Sequence, residues 1–125
     1  MAKVLVVEDD RDLLYIYQTA LAQAGFEVET ASSGSIAQAV LQRATPDLVI
    51  LDMMMPDGNG IDVIDYIRAC PHLAQTQVVV VTANDRWEAQ TEQRNVEFFL
   101  VKPVTLRDLV ALSKRLTQRR PASRP

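Results

Sequence analysis

Leu48-Val-Ile-Leu51 is an apolar run without polar alternation, and it stops at a single carboxylate, Asp52. A half-solvated strand would alternate apolar and polar side chains, so this run reads as a strand covered on both faces. Two more segments share the pattern, Lys3-Val-Leu-Val-Val7 and Gln77-Val-Val-Val-Val81. Strands buried on both faces need helices above and below, and the intervening segments supply them. Residues 11–24 place Leu13, Leu14, Tyr17, Ala20, Leu21 and Ala24 on one helical face, and Gly25 ends the helix in the left-handed position that follows a last turn. Residues 33–43 read as a second helix with Ile36, Ala37, Val40 and Leu41 inward, and residues 60–69 as a third with Ile61, Ile64 and Ile67 inward.

The remaining elements are weaker. Residues 27–31 alternate only slightly and read as a short strand near a sheet edge, and residues 97–101 read as a fifth strand. Residues 85–94 read as a poor fourth helix, because Trp87 and Ala89 are its only apolar residues. Thr105-Leu-Arg-Asp108 resembles a capping box and opens a last helix to about residue 118, with Leu106, Leu109, Val110, Leu112 and Leu116 to bury. Five strands alternating with helices predict an α/β fold with right-handed crossovers and a parallel sheet between two helical layers. The expected order is 2-1-3-4-5, with the first and third strands side by side at the topological switch point. A chain of 125 residues suits one such domain. Residues 119–125, Arg-Arg-Pro-Ala-Ser-Arg-Pro, read as a flexible tail or the start of a linker.

Ligands of open α/β sheets bind outside the C-terminal strand ends. The residues expected at that edge are Glu8 and Asp9 after the first strand, Asp52 after the third, Thr82 after the fourth and Lys102 after the fifth. Carboxylates this close repel one another unless a cation sits among them, and a small all-oxygen set suits Mg²⁺. No Walker-type loop and no G-x-G-x-x-G follows the first strand, which argues against a nucleotide site. A carboxylate beside a divalent cation can act as a nucleophile towards phosphorus. Lys102 supplies positive charge and Thr82 a hydroxyl, so the set suits phosphoryl transfer. A formal charge of −3 argues against nucleic-acid contact by the domain. No apolar stretch reaches membrane-spanning length, the N-terminus lacks a signal-peptide pattern, and the lone Cys70 fits a reducing cytoplasm. Cys70 and His72 flank Pro71, but two residues without further Cys or His make no metal site, and both read as structural.

Four motifs carry a resemblance: Val-Val-Glu8-Asp9-Asp10, Leu-Asp52-Met-Met-Met-Pro56 with Gly60, Val-Val-Thr82-Ala83, and Phe99-Leu-Val-Lys102-Pro103. In this order the chain resembles a receiver domain of the two-component response regulators, over residues 3 to about 118. The resemblance implies a flavodoxin-like (βα)5 three-layer sandwich. It implies that Asp52 accepts a phosphoryl group from a phosphohistidine of a sensor histidine kinase or phosphotransfer protein. It implies Mg²⁺ held by Asp9, Asp52 and the backbone carbonyl of Met54, with Glu8 acting through water. Thr82 and Phe99 match the switch pair, Lys102 matches the phosphate-binding lysine, and the Lys102–Pro103 bond is expected to be cis. The implied role is a signalling module, not a metabolic enzyme. It would control an output domain or protein through the fourth helix, fifth strand and fifth helix, with a phosphorylation-dependent dimer among its forms.

Phe99 stands where tyrosine is frequent, the fourth helix looks shortened, and Asn95 replaces the glycine expected before the fifth strand. Two other readings compete. A Mg²⁺-dependent phosphohydrolase working through an aspartyl phosphate would need a second acid two residues after the nucleophile, where this chain has Met54. A flavodoxin-like cofactor binder would place a flavin phosphate against acidic strand ends.

Overall fold

A computed structural model describes residues 1–55 and 58–118 of the chain. Five parallel strands form the central sheet: β1 (Lys3–Val7), β2 (Glu27–Ala31), β3 (Leu48–Leu51), β4 (Gln77–Thr82) and β5 (Phe98–Val101). Their spatial order is β2-β1-β3-β4-β5, the order expected from the doubly wound arrangement. The helices are α1 (Arg11–Gln23), α2 (Gly34–Arg43), α3 (Gly60–Ala69), α4 (Glu88–Glu92) and α5 (Leu106–Gln118). Met54–Met55 and Gly58–Asn59 pair as a short antiparallel ladder between β3 and α3. Pro56 of the second motif and the expected tail over 119–125 lie outside the described residues.

Period-two side-chain alternation sorts the buried strands into two layers. Leu5, Val7, Val49, Leu51, Val78 and Val80 face α2 and α3. Val4, Val6, Leu48, Ile50, Val79 and Val81 face Tyr17 and Leu21 of α1 and Leu109 and Leu116 of α5. α1, α2, α3 and α5 each start where a short polar side chain satisfies free backbone donors. Asp10 accepts from the amides of Asp12 and Leu13, Ser33 from Ile36, Asn59 from Ile61, and Thr105 from Asp108. Gly25 and Asn95 take positive φ, 102° and 58°, as their turns require.

Two expected core residues face solvent instead. Ile36, in the first turn of α2, is 46% exposed, and Leu106, in the first turn of α5, is 38% exposed. Helical spacing places both near the apolar stripe, but each precedes the first buried residue of its helix, Ala37 in α2 and Leu109 in α5.

The fourth helical segment is short, as its composition implies. Asp85–Trp87 forms a 3₁₀ turn, and the α-helical part is five residues long. Its fully buried side chain is Thr91, whose hydroxyl donates to the carbonyl of Glu88 at 2.9 Å. Half-buried Trp87 packs against the α2/α3 side of the core. Arg68 of α3 fixes the far end: its guanidinium donates to the carbonyls of Arg94, Asn95 and Thr76 at 3.1, 2.9 and 3.3 Å. Arg94 pairs with Asp65 of α3 at 2.7 Å. His72 reaches the carbonyl of Leu41 at 2.8 Å, which fits the structural reading of that residue.

Candidate functional site

The parallel ladder delivers the candidate residues to one edge of the sheet. Val7 pairs with Leu51, Leu51 with Val80, and Thr82 with Val101, so the residues that follow these strands emerge side by side. Backbone bonds carry the ladder one residue further. The amide of Asp52 donates to Val7 at 3.0 Å, that of Glu8 to Ala31 at 3.0 Å, and that of Lys102 to Thr82 at 2.8 Å. The carboxylates and the ammonium are therefore fixed by main-chain geometry.

Carboxylate oxygens of Glu8, Asp9 and Asp52 lie within 4.8 Å of one another. Glu8 and Asp52 are buried, and Asp9 is exposed. Lys102 Nζ donates to Glu8 Oε1 at 2.9 Å and to Asp52 Oδ2 at 3.2 Å. The remaining carboxylate oxygens are also engaged: Glu8 Oε2 accepts from the amide of Asp10 at 3.1 Å, and Asp52 Oδ1 from that of Met54 at 3.3 Å. Burial pushes the Glu8 carboxyl up to about 7, and the nearby Asp52 charge adds to the rise against the opposing pull of Lys102 and the Asp10 amide. Burial alone would lower Lys102, but the Glu8 and Asp52 carboxylates outweigh it and hold the ammonium above its ordinary range.

The donor set fits a hard divalent cation: three carboxylates converge, one of them open to solvent. Thr82 adds a second sign of an incomplete site. It is fully buried, and its Oγ1 has no hydrogen-bond partner among the described residues. A buried hydroxyl left unpaired costs about 1–3 kcal/mol, so an acceptor arriving at this edge would gain from it. Phe99 is half-buried against the α2/α3 side of the core, and the Lys102–Pro103 bond is cis.

The sequence brings together every residue it named at this edge. It did not reveal that Lys102 bridges Glu8 and Asp52 directly, because an ammonium 94 residues from one and 50 from the other has no spacing signal. It also missed the role of Gly60. A Cβ on Gly60 would stand 2.9 Å from the Asp52 carbonyl oxygen and 2.8 Å from Met53 Sδ, so the absent side chain is what lets α3 begin directly beneath the Asp52 backbone. A third unanticipated contact joins Met54 to Arg86, with the Met54 sulfur accepting from Arg86 Nη2 at 3.5 Å.

Residues 4–114 match the family described as response regulator receiver domain. The chain is 35% identical over 123 residues to the transcriptional regulatory protein PrrA of Mycobacterium leprae, covering 97% of this chain and 52% of that protein. It is 32% identical over 123 residues to the phosphate regulon transcriptional regulatory protein PhoB of Rhizobium meliloti, covering 95% of this chain and 53% of that one. The chain thus spans about half the length of the curated relatives it matches. Among solved structures, the response regulator protein TrrA of Thermotoga maritima, in complex with Mg(2+)-BeF, superposes with a TM-score of 0.83 at 27% identity, covering 93% of this chain and 99% of that one. The chemotaxis response regulator CheY4 of Vibrio cholerae superposes with a TM-score of 0.84 at 30% identity, covering 93% and 98%. These matches do not favour a phosphohydrolase.

Proposed function

The chain belongs to the response regulator receiver domains, and from that premise we propose that Asp52 is its phosphoacceptor in a Mg²⁺-dependent signalling switch. The observation that carries this reading is the double contact of Lys102 with Glu8 and Asp52 at the end of the central strand. A carboxylate oxygen of Asp52 attacks phosphorus while the donor's P–N bond breaks. The electron pair leaves on the imidazole nitrogen of a kinase or phosphotransfer-protein phosphohistidine, and an acyl phosphate forms. Asp9, Asp52 and the Met54 carbonyl are the groups that would hold Mg²⁺, with Glu8 acting through water. When bound, the cation neutralises charge on the transferring group.

The other residues follow from their positions. Lys102 already touches Asp52, so its ammonium is placed to bind the phosphoryl oxygens as a point charge. The unpaired Thr82 hydroxyl donates to the same oxygens. Its movement frees space for Phe99 to turn inward, which alters the surface built from α4, β5 and α5. Phe98, Val101 and Leu106 expose apolar side chains on β5 and the start of α5, which supports a partner or a phosphorylation-dependent second copy docking there.

The receiver unit occupies residues 1–118. The names of the curated relatives point to transcription as the class of output, exercised by a segment other than this acidic domain. The described residues contain no helix long and apolar enough to cross a membrane. The lone Cys70 supports a cytoplasmic setting. Incubation with acetyl phosphate and Mg²⁺, followed by intact-mass measurement, should show one added phosphoryl group, absent in Asp52→Asn. A full-stoichiometry adduct on that variant would overturn the assignment of Asp52.

A further inference from the structure

Met54 lies two residues beyond Asp52, at the same end of the sheet. Its amide donates to Asp52 Oδ1, while its side chain is 46% exposed. An exposed methionine is ordinarily free to change rotamer, having three rotatable bonds and no strong polar group. This one is held. Its sulfur accepts from Arg86 Nη2 at 3.5 Å, and the Arg86 guanidinium lies 5.3 Å from the centroid of the Trp87 ring.

The two neighbours are held in turn. The amide of Arg86 donates to Asn84 Oδ1 at 2.8 Å, which fixes the 3₁₀ turn that carries it. Trp87 is packed against the α2/α3 side of the core, so the ring is a seat anchored to the body of the domain. Arg86 forms no ion pair among the described residues. Its guanidinium is thus committed to a thioether and an aromatic face, partners that a solvated arginine rarely keeps unless geometry presents them together.

We propose that Arg86, seated on Trp87, is a positioning residue that latches the Met54 side chain across the approach to Asp52 and so lengthens the life of its phosphoryl group. The inference rests on the receiver reading, with Asp52 as phosphoacceptor. Hydrolysis of an acyl phosphate needs water to reach phosphorus from the open side of the site, opposite the aspartyl oxygen that leaves. The water oxygen bonds to phosphorus, the P–O bond to Asp52 breaks, and the carboxylate and inorganic phosphate are released. Met54 has no strong donor or acceptor with which to orient that water, so its bulk is its contribution. A latched Met54 excludes water for more of the time than a free one. The latch also ties the third strand's loop to the turn before α4, because Arg86 belongs to one and Met54 to the other.

The test measures loss of the phosphoryl group after acetyl phosphate is removed, in the native chain and in Arg86→Ala, Arg86→Lys, Met54→Ala and the Arg86→Ala/Met54→Ala double variant. Arg86→Ala should hasten the loss about two- to fivefold, the population change that one exposed cation–π contact can produce. Arg86→Lys keeps a cation over the ring and should retain most of the native lifetime. Because Arg86 acts through Met54, adding Arg86→Ala to Met54→Ala should change nothing further. A native rate in Arg86→Ala, or an undiminished Arg86 effect in the Met54→Ala background, overturns the latch. Methionine methyl NMR of the unphosphorylated protein checks the contact separately: Arg86→Ala should move the Met54 resonance and leave those of Met53 and Met55 in place. An unmoved Met54 resonance refutes the contact. A native chain that takes up no phosphoryl mass while the resonance still moves refutes the phosphoacceptor reading and the role given to the latch.

Discussion

Gly60→Ala tests how tightly the site depends on the start of α3. The added methyl would lie 2.9 Å from the Asp52 carbonyl oxygen, 2.8 Å from Met53 Sδ and 3.2 Å from Leu51 Cδ2. None of these neighbours yields easily: one is backbone, and Met53 and Leu51 are fully buried. Two effects favour the alanine. It reduces the freedom of the unfolded chain by roughly 0.4–1 kcal/mol, and it is the better helix former by up to about 1 kcal/mol in a helix interior. The second gain is small here, because Gly60 is the first residue of α3. Overpacking a filled site costs about 1–3 kcal/mol, and two sub-3 Å contacts at once belong at the upper end. The clash wins, leaving the variant roughly 2 kcal/mol less stable. At this size that corresponds to a melting temperature lower by about 5–10 °C. The relief moves the Asp52 backbone, and with it the 3.2 Å contact to Lys102. Phosphorylation by acetyl phosphate should therefore slow by about fivefold or more, given how steeply reaction rates fall with misplacement. Melting by circular dichroism and intact mass against time measure both. A variant as stable as the native chain and phosphorylated at the native rate would refute the reasoning.

Four further outcomes follow from the site. Glu8 titrates near 7 in the fold against 4.5 for an ordinary carboxyl, so the folded state binds more protons than the unfolded state across that window. The stability that this group contributes is fully present below about 4.5 and is lost as pH rises through 7; melting of the metal-free chain against pH should show the slope, and Glu8→Gln should remove it. Protons compete with Mg²⁺ for the same carboxylate, so calorimetry should find weaker Mg²⁺ binding as pH falls below about 7, with proton release on binding. Lys102→Ala should leave a folded domain that takes up phosphoryl mass but switches poorly, read as a reduced change in Trp87 emission on phosphorylation; native-sized switching would refute the role of the ammonium. In the native chain that emission change should accompany the mass gain and vanish in Asp52→Asn.

The sheet was legible because uninterrupted aliphatic runs admit few other uses. Val4–Val7, Leu48–Leu51 and Val78–Val81 are each buried on both faces, and their alternation with helices makes the sheet parallel. The site was legible for the same reason: once strand ends are placed, Glu8, Asp52, Thr82 and Lys102 must share an edge. What periodicity handled poorly was the boundary of burial. Ile36 and Leu106 lie at helical spacing but ahead of the first buried residues of their helices, and the fourth helical segment buries Thr91, a residue that composition scores as polar. Arg68 and Arg86 carried no signal at all. Their partners are carbonyls, a thioether and a ring face, brought near only by the finished fold.

The clasp of Arg68 on the carbonyls of Arg94 and Asn95 gives the fourth helical segment an asymmetry of purchase. Its rear end is riveted to α3, a deeply buried helix, and Arg94–Asp65 adds a second rivet. Its front end is a 3₁₀ turn seated through one half-buried indole. The segment is therefore strung between two moorings of different kind: main-chain carbonyls at Arg94 and Asn95, and the side chains of Arg86 and Trp87 at the front. A side-chain mooring is released by a change of rotamer, whereas a clasped carbonyl moves only with its backbone, so the front end is the one that comes loose first.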